Sequence, residues 1–527
     1  MRKLKFSLLV IILLITSNKL IAQFNKKLTS SELENWFKAD LEQDSIAGIS
    51  FKKAKEFLKN KKNESVVIGV IETSIDISHK DLKDWIWKNP NEIKNNGIDD
   101  DNNGYIDDIN GWNFIGSLTT LNYEYERIIM NPDIVKDKSL LKKAKKEYNT
   151  LLKEITKDYK DGIKTLKFLK KRHSRFTEYF QREDYTLNDI LKIKTSNKDL
   201  IKEIKSIEKR IEFSKRYFGK EIKQNEPYYI TNQILSTKKY IIEDSLIVSG
   251  QSIKTDYRKS LDDDLKNLND KQYGNNIIDT NLDEEHGTHI SGILVANSIS
   301  KNYSLMPLRI NGSVGDEHDK DVALSIRYAV DNGAKVINAS FEKYYSPYSD
   351  WVYNAIKYAE EKDVLIIIAA GNYNLNRDET LVFPNDNKGL NSEFTGNVIV
   401  VGSSKANYGK HILSYFSNYG KNNVDVFAPG NKIYSMLPEN KYGFKSGTSM
   451  AVPMVTAIAA TIRSYYPNLS AKEVKKMILN SGTKIDFEVN IPSERNKSVN
   501  FSELCKSSSI VNYYNAVVLA EKLSLKK

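Results

Sequence analysis

Short apolar runs and longer amphipathic stretches alternate along this chain. Val66-Val67-Ile68-Gly69-Val70-Ile71 is β-branched and without a polar break, as expected of a strand buried on both faces. Similar runs recur at Val336-Ile337, Val364 to Ile368 and Val398 to Val401. Among them, Asp321 to Asn332 and Trp351 to Lys362 carry apolar residues at helical spacing. Strands separated by helices predict an α/β domain built on a parallel sheet.

A different pattern fills residues 119–223. Leu141, Ala144, Tyr148, Leu151, Ile155 and Tyr159 step by three or four through Lys/Glu-rich sequence, as do Leu200, Ile204, Ile207 and Ile211. This predicts two long amphipathic helices forming a hairpin, with its turn in the region Lys171 to Asp184. The hairpin reads as an insertion into an α/β domain spanning 65–485. Residues 23–64 are polar and helix-leaning, a candidate pro-segment, and 486–527 form a C-terminal segment.

At the N-terminus, Arg2, Lys3 and Lys5 precede an apolar stretch, Phe6 to Ile15, too short to span a bilayer. With the small residue Ala22 downstream, residues 1–22 read as a signal peptide, predicting a secreted product with no membrane span after cleavage. Hydrophobic residues make up 40% and charged residues 28%, enough for a packed core and against wholesale disorder. The single cysteine, Cys505, allows no internal disulfide, so stability rests on the core and on any bound ions. The formal net charge is +11. Because the lysines alternate with glutamates along helical stretches, they read as solvated faces, and nucleic acid is not expected as a partner.

Acyl transfer by a serine needs a nucleophile, a base touching it, a carboxylate orienting the base, and donors for the oxyanion. Ser449, in Gly447-Thr448-Ser449-Met450-Ala451-Val452-Pro453, stands where a Gly-containing turn meets an apolar helical run. That places its hydroxyl and the free backbone N–H groups of a helix start together. His286-Gly287-Thr288-His289 opens another helix, and Asn372, in Ala369-Ala370-Gly371-Asn372, follows a buried strand and has a side-chain amide to donate. A zinc reading of the two histidines lacks an obvious third ligand.

These three segments, in this order, resemble the subtilase family of serine endopeptidases, in particular Bacteroidetes-like secreted members with a long insertion ahead of the histidine motif. The resemblance implies a subtilisin-like three-layer α/β fold with a mainly parallel central sheet, and a protein or peptide substrate. It implies Ser449 as nucleophile, His286 as general base and acid, and Asn372 as oxyanion donor. The substrate would lie as an extended strand along Asn338 to Glu342, so that Ser340, Phe341 and Glu342 bind it. The chemistry requires no cofactor.

The chain departs from the family pattern at three places. The first motif reads Val70-Ile71-Glu72-Thr73-Ser74-Ile75-Asp76, so the orienting carboxylate falls on Glu72 instead of an aspartate. Ser74 replaces a glycine, adding bulk to a tight passage. Glu342 replaces a glycine of the specificity wall, where it would narrow the pocket, favour a basic substrate side chain, or face solvent. A second reading is therefore a subtilase-fold binding protein with weakened or no catalysis.

Asp99-Asp100-Asp101-Asn102-Asn103-Gly104 alternates oxygen ligands before a glycine, as in calcium loops, with Asp107 or Asp108 replacing the missing acidic residue at the twelfth position. Asp99, Asp101, Asn103 and Asp107 are the candidate ligands of a structural calcium. The bland alternative is an acidic turn with no ion.

Overall fold

Thirteen strands are assigned in the computed structural model, which describes residues 28–135, 137–218, 224–390 and 392–527. The signal peptide expected at residues 1–22 lies outside the described residues. In chain order the strands are β1 (Val66–Glu72), β2 (Trp112–Asn113), β3 (Tyr303–Arg309), β4 (Ala334–Ala339), β5 (Leu365–Ala369), β6 (Val398–Ser404), β7 (Val426–Pro429), β8 (Ile433–Leu437), β9 (Lys441–Lys445), β10 (Thr483–Lys484), β11 (Glu488–Ile491), β12 (Glu494–Asn500) and β13 (Ser509–Ile510). Nine of them form one sheet in the order β10-β13-β7-β6-β5-β4-β1-β3-β2. Every pairing in it is parallel except β10 with β13. Strands β8–β9 and β11–β12 make two antiparallel ribbons.

The unbroken apolar runs follow from this layering. Ile68 and Val70 of β1 face a core shared with the helices Glu285–Ala296 and Thr448–Tyr465. Ile71 faces a second core with the helices Asp319–Asp331 and Ser349–Glu361. A strand covered on both sides needs apolar residues at every position. The result is the expected three-layer α/β fold with a mainly parallel sheet.

Residues 28–64 are built into the first core. Trp36, Phe37, Ile49, Ala54 and Leu58 are buried there, and Trp36 Nε1 donates to the Lys432 carbonyl at 3.2 Å. The C-terminal helix Tyr513–Ser524 joins the same core, with the rings of Phe51 and Tyr513 edge to face at 5.8 Å. The flanking segments are therefore integral layers of the α/β unit.

Among the described residues two compact units emerge, one drawn from 28–124 with 257–527 and the other from 125–256. The second is helical and inserted into the first. Its longest helix, Lys138–Phe180, runs through Lys171 and ends where Gln181 turns left-handed (φ 52°), in the later part of the region Lys171 to Asp184. Its hairpin partner is Tyr229–Val248, past residue 223. Tyr148 Oη donates to the Ile247 carbonyl at 3.2 Å, and Gly162 packs against Ile241, which fixes the two helices antiparallel. Leu169, Phe176, Leu200, Ile207, Ile230 and Ile234 give this unit a core of its own.

Candidate active site

Glu72 is the last residue of β1 and lies 4% exposed. Its Oε2 lies 2.7 Å from Nδ1 of His286, in the first turn of the helix Glu285–Ala296. One extra methylene has not carried the carboxylate away from the imidazole. The approach is set by backbone contact: Gly287 N donates to Thr73 Oγ1 at 3.0 Å, and a Cβ on Gly287 would come within 2.7 Å of the Ser74 carbonyl. Only glycine lets the helix start sit against the end of β1. Burial disfavours a charged His286, but the charge and hydrogen bond of Glu72 outweigh it and raise its pKa above 6.5, with a smaller push from Glu342. The Glu72 Oε1 is buried without a hydrogen-bond partner.

The other departures near Glu72 are accommodated. Ser74 is buried, its Oγ donating to the Ile278 carbonyl at 3.0 Å and accepting from Asn281 N at 3.2 Å. Its own N–H donates to Glu284, which pairs with the buried Arg309 at 2.9 Å. The crowding expected at this position is thus taken up by polar contacts. Asp76 is no rival for the orienting role, because its carboxylate accepts from Ser78 and Glu439 N. His289 donates Nε2–H towards the Ile433 and Gly443 carbonyls, and burial pushes its pKa down to about 3. It packs as a core residue whose Nε2 is engaged by backbone carbonyls, while His286 turns to Glu72.

Ser449 lies in the first turn of the helix Thr448–Tyr465, where backbone N–H groups have no carbonyl four residues back. Pro453 lacks the N–H that would bond the Ser449 carbonyl, and Ser340 Oγ donates to that carbonyl instead, at 3.1 Å. Ser340 is held in turn by Asn338 Nδ2 at 3.0 Å, and Asn338 Oδ1 accepts from Thr456 Oγ1 at 3.1 Å. The end of β4 is thereby tied to the serine helix. The Ser449 hydroxyl makes no hydrogen bond among the described residues. Such bonds often tighten only with substrate present.

Asn372 follows Gly371, whose φ of +105° favours glycine. Asn372 Oδ1 accepts from Thr448 N at 2.8 Å, and since an N–H can only donate, the amide NH2 must point the other way. There it donates to Glu342 Oε1 at 3.0 Å, and Asn372 N donates to the same oxygen at 3.1 Å. Glu342 therefore turns toward Asn372 instead of into solvent. Enclosure raises its carboxyl pKa, which the Asn372 hydrogen bonds and His286 partly offset. Phe341 packs, partly buried, against the second core.

The structure regroups the candidate calcium ligands. Asp99 and Asp101 meet Glu92, one carboxylate oxygen of each lying within 4.8 Å of the others. Glu92 is 9% exposed, and its Oε2 is buried without a hydrogen-bond partner. Burial, with the charges of Asp108 and Asp101, raises its pKa. Asp107 instead accepts from Asn96 N and Gly97 N at 3.1 and 3.0 Å, and Asn103 Oδ1 accepts from Tyr105 N at 2.8 Å. Glu92 precedes the loop motif and carries no spacing signal of its own; only its acidity beside an acidic loop hinted at it.

The subtilase family profile matches residues 63–496. The chain belongs to the subtilase family. It is 29% identical over 395 residues to the cell wall-associated protease of Bacillus subtilis (strain 168), covering 71% of this chain and 40% of that protein. It is 34% identical over 224 residues to the thermophilic serine proteinase of Bacillus sp. (strain AK1), covering 40% of this subtilase and 51% of that one. Subtilisin DY of Bacillus licheniformis is 30% identical over 207 residues, covering 38% and 71%. This subtilase thus spans 40% of the first of these relatives and about half of the second. Among solved structures, the prenylagaramide maturation protease PagA aligns over 45% of the chain and 82% of its own, at 25% identity and a TM-score of 0.35. No helix among the described residues is long and apolar enough to cross a membrane.

Proposed function

We propose that this subtilase is a secreted serine endopeptidase in which a glutamate replaces the orienting aspartate. The observation that carries this is the 2.7 Å contact between Glu72 Oε2 and His286 Nδ1. A carboxylate there holds the proton on Nδ1 and leaves Nε2 basic, the tautomer that accepts the serine proton. Ser449 Oγ would attack the peptide carbonyl while His286 takes its proton and later returns it to the leaving amine. Asn372 Nδ2 and Ser449 N would bind the oxyanion, and the segment Ser340 to Glu342 would line the substrate strand.

A second reading, a binding protein with little or no turnover, is favoured by one contact: Glu342 occupies the Asn372 amide. A fluorophosphonate probe tests the first. Labelling of the wild type and none of Ser449→Ala supports the peptidase; wild-type protein that is folded but never labelled overturns it.

For calcium, the pocket of Glu92, Asp99 and Asp101 supports a structural site better than the four residues read from the loop. A buried carboxylate oxygen without a donor suits a hard cation. Calcium there would stabilise the loop and take no part in the chemistry.

A further inference from the structure

We propose that Glu342 is a built-in occupant of the oxyanion site, holding the Asn372 donors and restraining the enzyme until it moves aside. This rests on the peptidase reading and adds a regulator to its site. Both hydrogen bonds from Asn372 end on one carboxylate oxygen, Glu342 Oε1, at 3.1 and 3.0 Å. That oxygen takes the donors an oxyanion would need, and both Asn372 hydrogen bonds favour the ionised carboxyl against the burial that opposes it.

The surroundings fix the carboxylate there. Gly371, in its positive-φ turn, packs at 3.4 Å from Glu342 Cγ if given a Cβ, so the side chain lies across this turn. No lysine or arginine pairs with Glu342 among the described residues. The nearby Arg377 spends its guanidinium on the carbonyls of Ala370 and Val382, at 2.9 and 3.3 Å. With no cation to hold it elsewhere, the carboxylate takes the strongest donors within reach, those of Asn372.

Two consequences follow for the reaction. Asn372 Nδ2 must exchange a charged acceptor for the substrate oxygen, so part of its stabilisation is already spent in the ground state. If Glu342 stays close, its charge also repels the oxyanion as the Ser449–carbon bond forms and the carbonyl electron pair moves onto oxygen. Loss of one oxyanion donor costs about 10² to 10³ in rate, which bounds what release of Glu342 can restore.

The test compares fluorophosphonate labelling rates and peptide hydrolysis in wild type, Glu342→Gly, Glu342→Gln and Glu342→Gly with Asn372→Ala. The expected result is a rise of at least about tenfold in Glu342→Gly, a smaller rise in Glu342→Gln, and loss of the gain when Asn372 is also removed. Equal or lower rates in folded Glu342→Gly and Glu342→Gln would overturn the proposal while leaving Ser449-dependent labelling, and so the peptidase, intact. The His286 pKa, measured by NMR in Glu342→Gln, reads the nearness of the Glu342 charge to the site without catalysis. A fall supports the carboxylate's placement even if no variant labels, in which case the peptidase reading is the one that fails. An unchanged value, in protein that never labels, overturns the placement.

Discussion

A glutamate in place of an aspartate lengthens the side chain by one methylene, a displacement of about 1.5 Å if nothing else moves. Here the geometry absorbs it, and Glu72 still meets His286 Nδ1 at 2.7 Å. Removing the charge should therefore cost nearly what it costs in subtilisin, where loss of the orienting carboxylate lowers turnover about 3 × 10⁴-fold. We expect Glu72→Gln to slow hydrolysis by about 10⁴ with little loss of fold, measured by probe labelling beside thermal melting; a change below tenfold would show that Glu72 does not orient His286. The pH profile gives an independent check. The base must be neutral to work, and its pKa is raised above 6.5, so the acid limb of kcat/KM should lie above that value. In Glu72→Gln the two larger raising influences go while burial and the smaller push from Glu342 remain, and the limb should move down, read by His286 titration where turnover is too slow. The same shift makes the protonated pair stabilising below the unfolded histidine value, a contribution lost as pH rises through the folded one. At this scale the sequence named the candidate residues but not how they touch. The Glu342–Asn372 contact joins positions 30 residues apart at the ends of neighbouring strands, and no local pattern records it.

Two elements position this chemistry, the histidine helix and the loop after β1. They meet at Gly287, where a Cβ would come to the carbonyls of Ser74 and Thr73 at 2.7 and 2.9 Å and Ile75 Cγ1 at 2.9 Å. Gly287→Ala should cost about 1 to 3 kcal/mol in urea unfolding through overpacking. A displacement of His286 by 1 Å would add a loss of about 10² in labelling rate. Unchanged stability and labelling would mean that the helix start has room to spare. The acidic loop invites a similar experiment. If calcium occupies the Glu92, Asp99 and Asp101 cluster, saturation at 100-fold over Kd contributes about 2.7 kcal/mol. Chelation should then lower the melting temperature of the wild type by several degrees and leave Glu92→Gln unaffected; identical melting with calcium and with chelator would remove the ion. Element legibility followed periodicity. The strands β1, β5 and β6 and the helices around them were plain because both faces of the sheet are buried. Strand β3 was hidden by Pro307 within it, a residue that ordinarily argues against a strand. Helix Tyr229–Val248 was hidden because its apolar residues circle the axis, leaving Leu235, Tyr240 and Ile242 exposed, so no single stripe announces it.

The two ends of the interrupted α/β unit lie close together within it. Tyr257 N donates to Asn122 Oδ1 at 3.2 Å, and Glu124 N donates to Asp316 Oδ2 at 2.8 Å, so both ends of the interrupted domain are pinned to the same loop region. A short linker can therefore replace residues 125–256 without stretching the remainder, since closing a short loop costs little when its ends already meet. Both cores of the α/β unit should survive this deletion, because among the described residues their buried members all lie outside 125–256. By contrast, removing residues 28–64 takes Trp36, Phe37, Ile49 and Leu58 out of the first core. Burying one such side chain is worth about 1.5 to 3 kcal/mol, so losing four exceeds much of the 5 to 15 kcal/mol that holds a typical domain together. We expect the chain lacking 125–256 to fold cooperatively, with a melting temperature within a few degrees of the full chain, and the chain lacking 28–64 to be insoluble or unfolded. Short-peptide hydrolysis should survive the first deletion, while any change confined to folded protein substrates would locate their recognition on the helical unit. If the 28–64 deletion instead gave a folded protein, that segment would be detachable, as the candidate pro-segment reading expects.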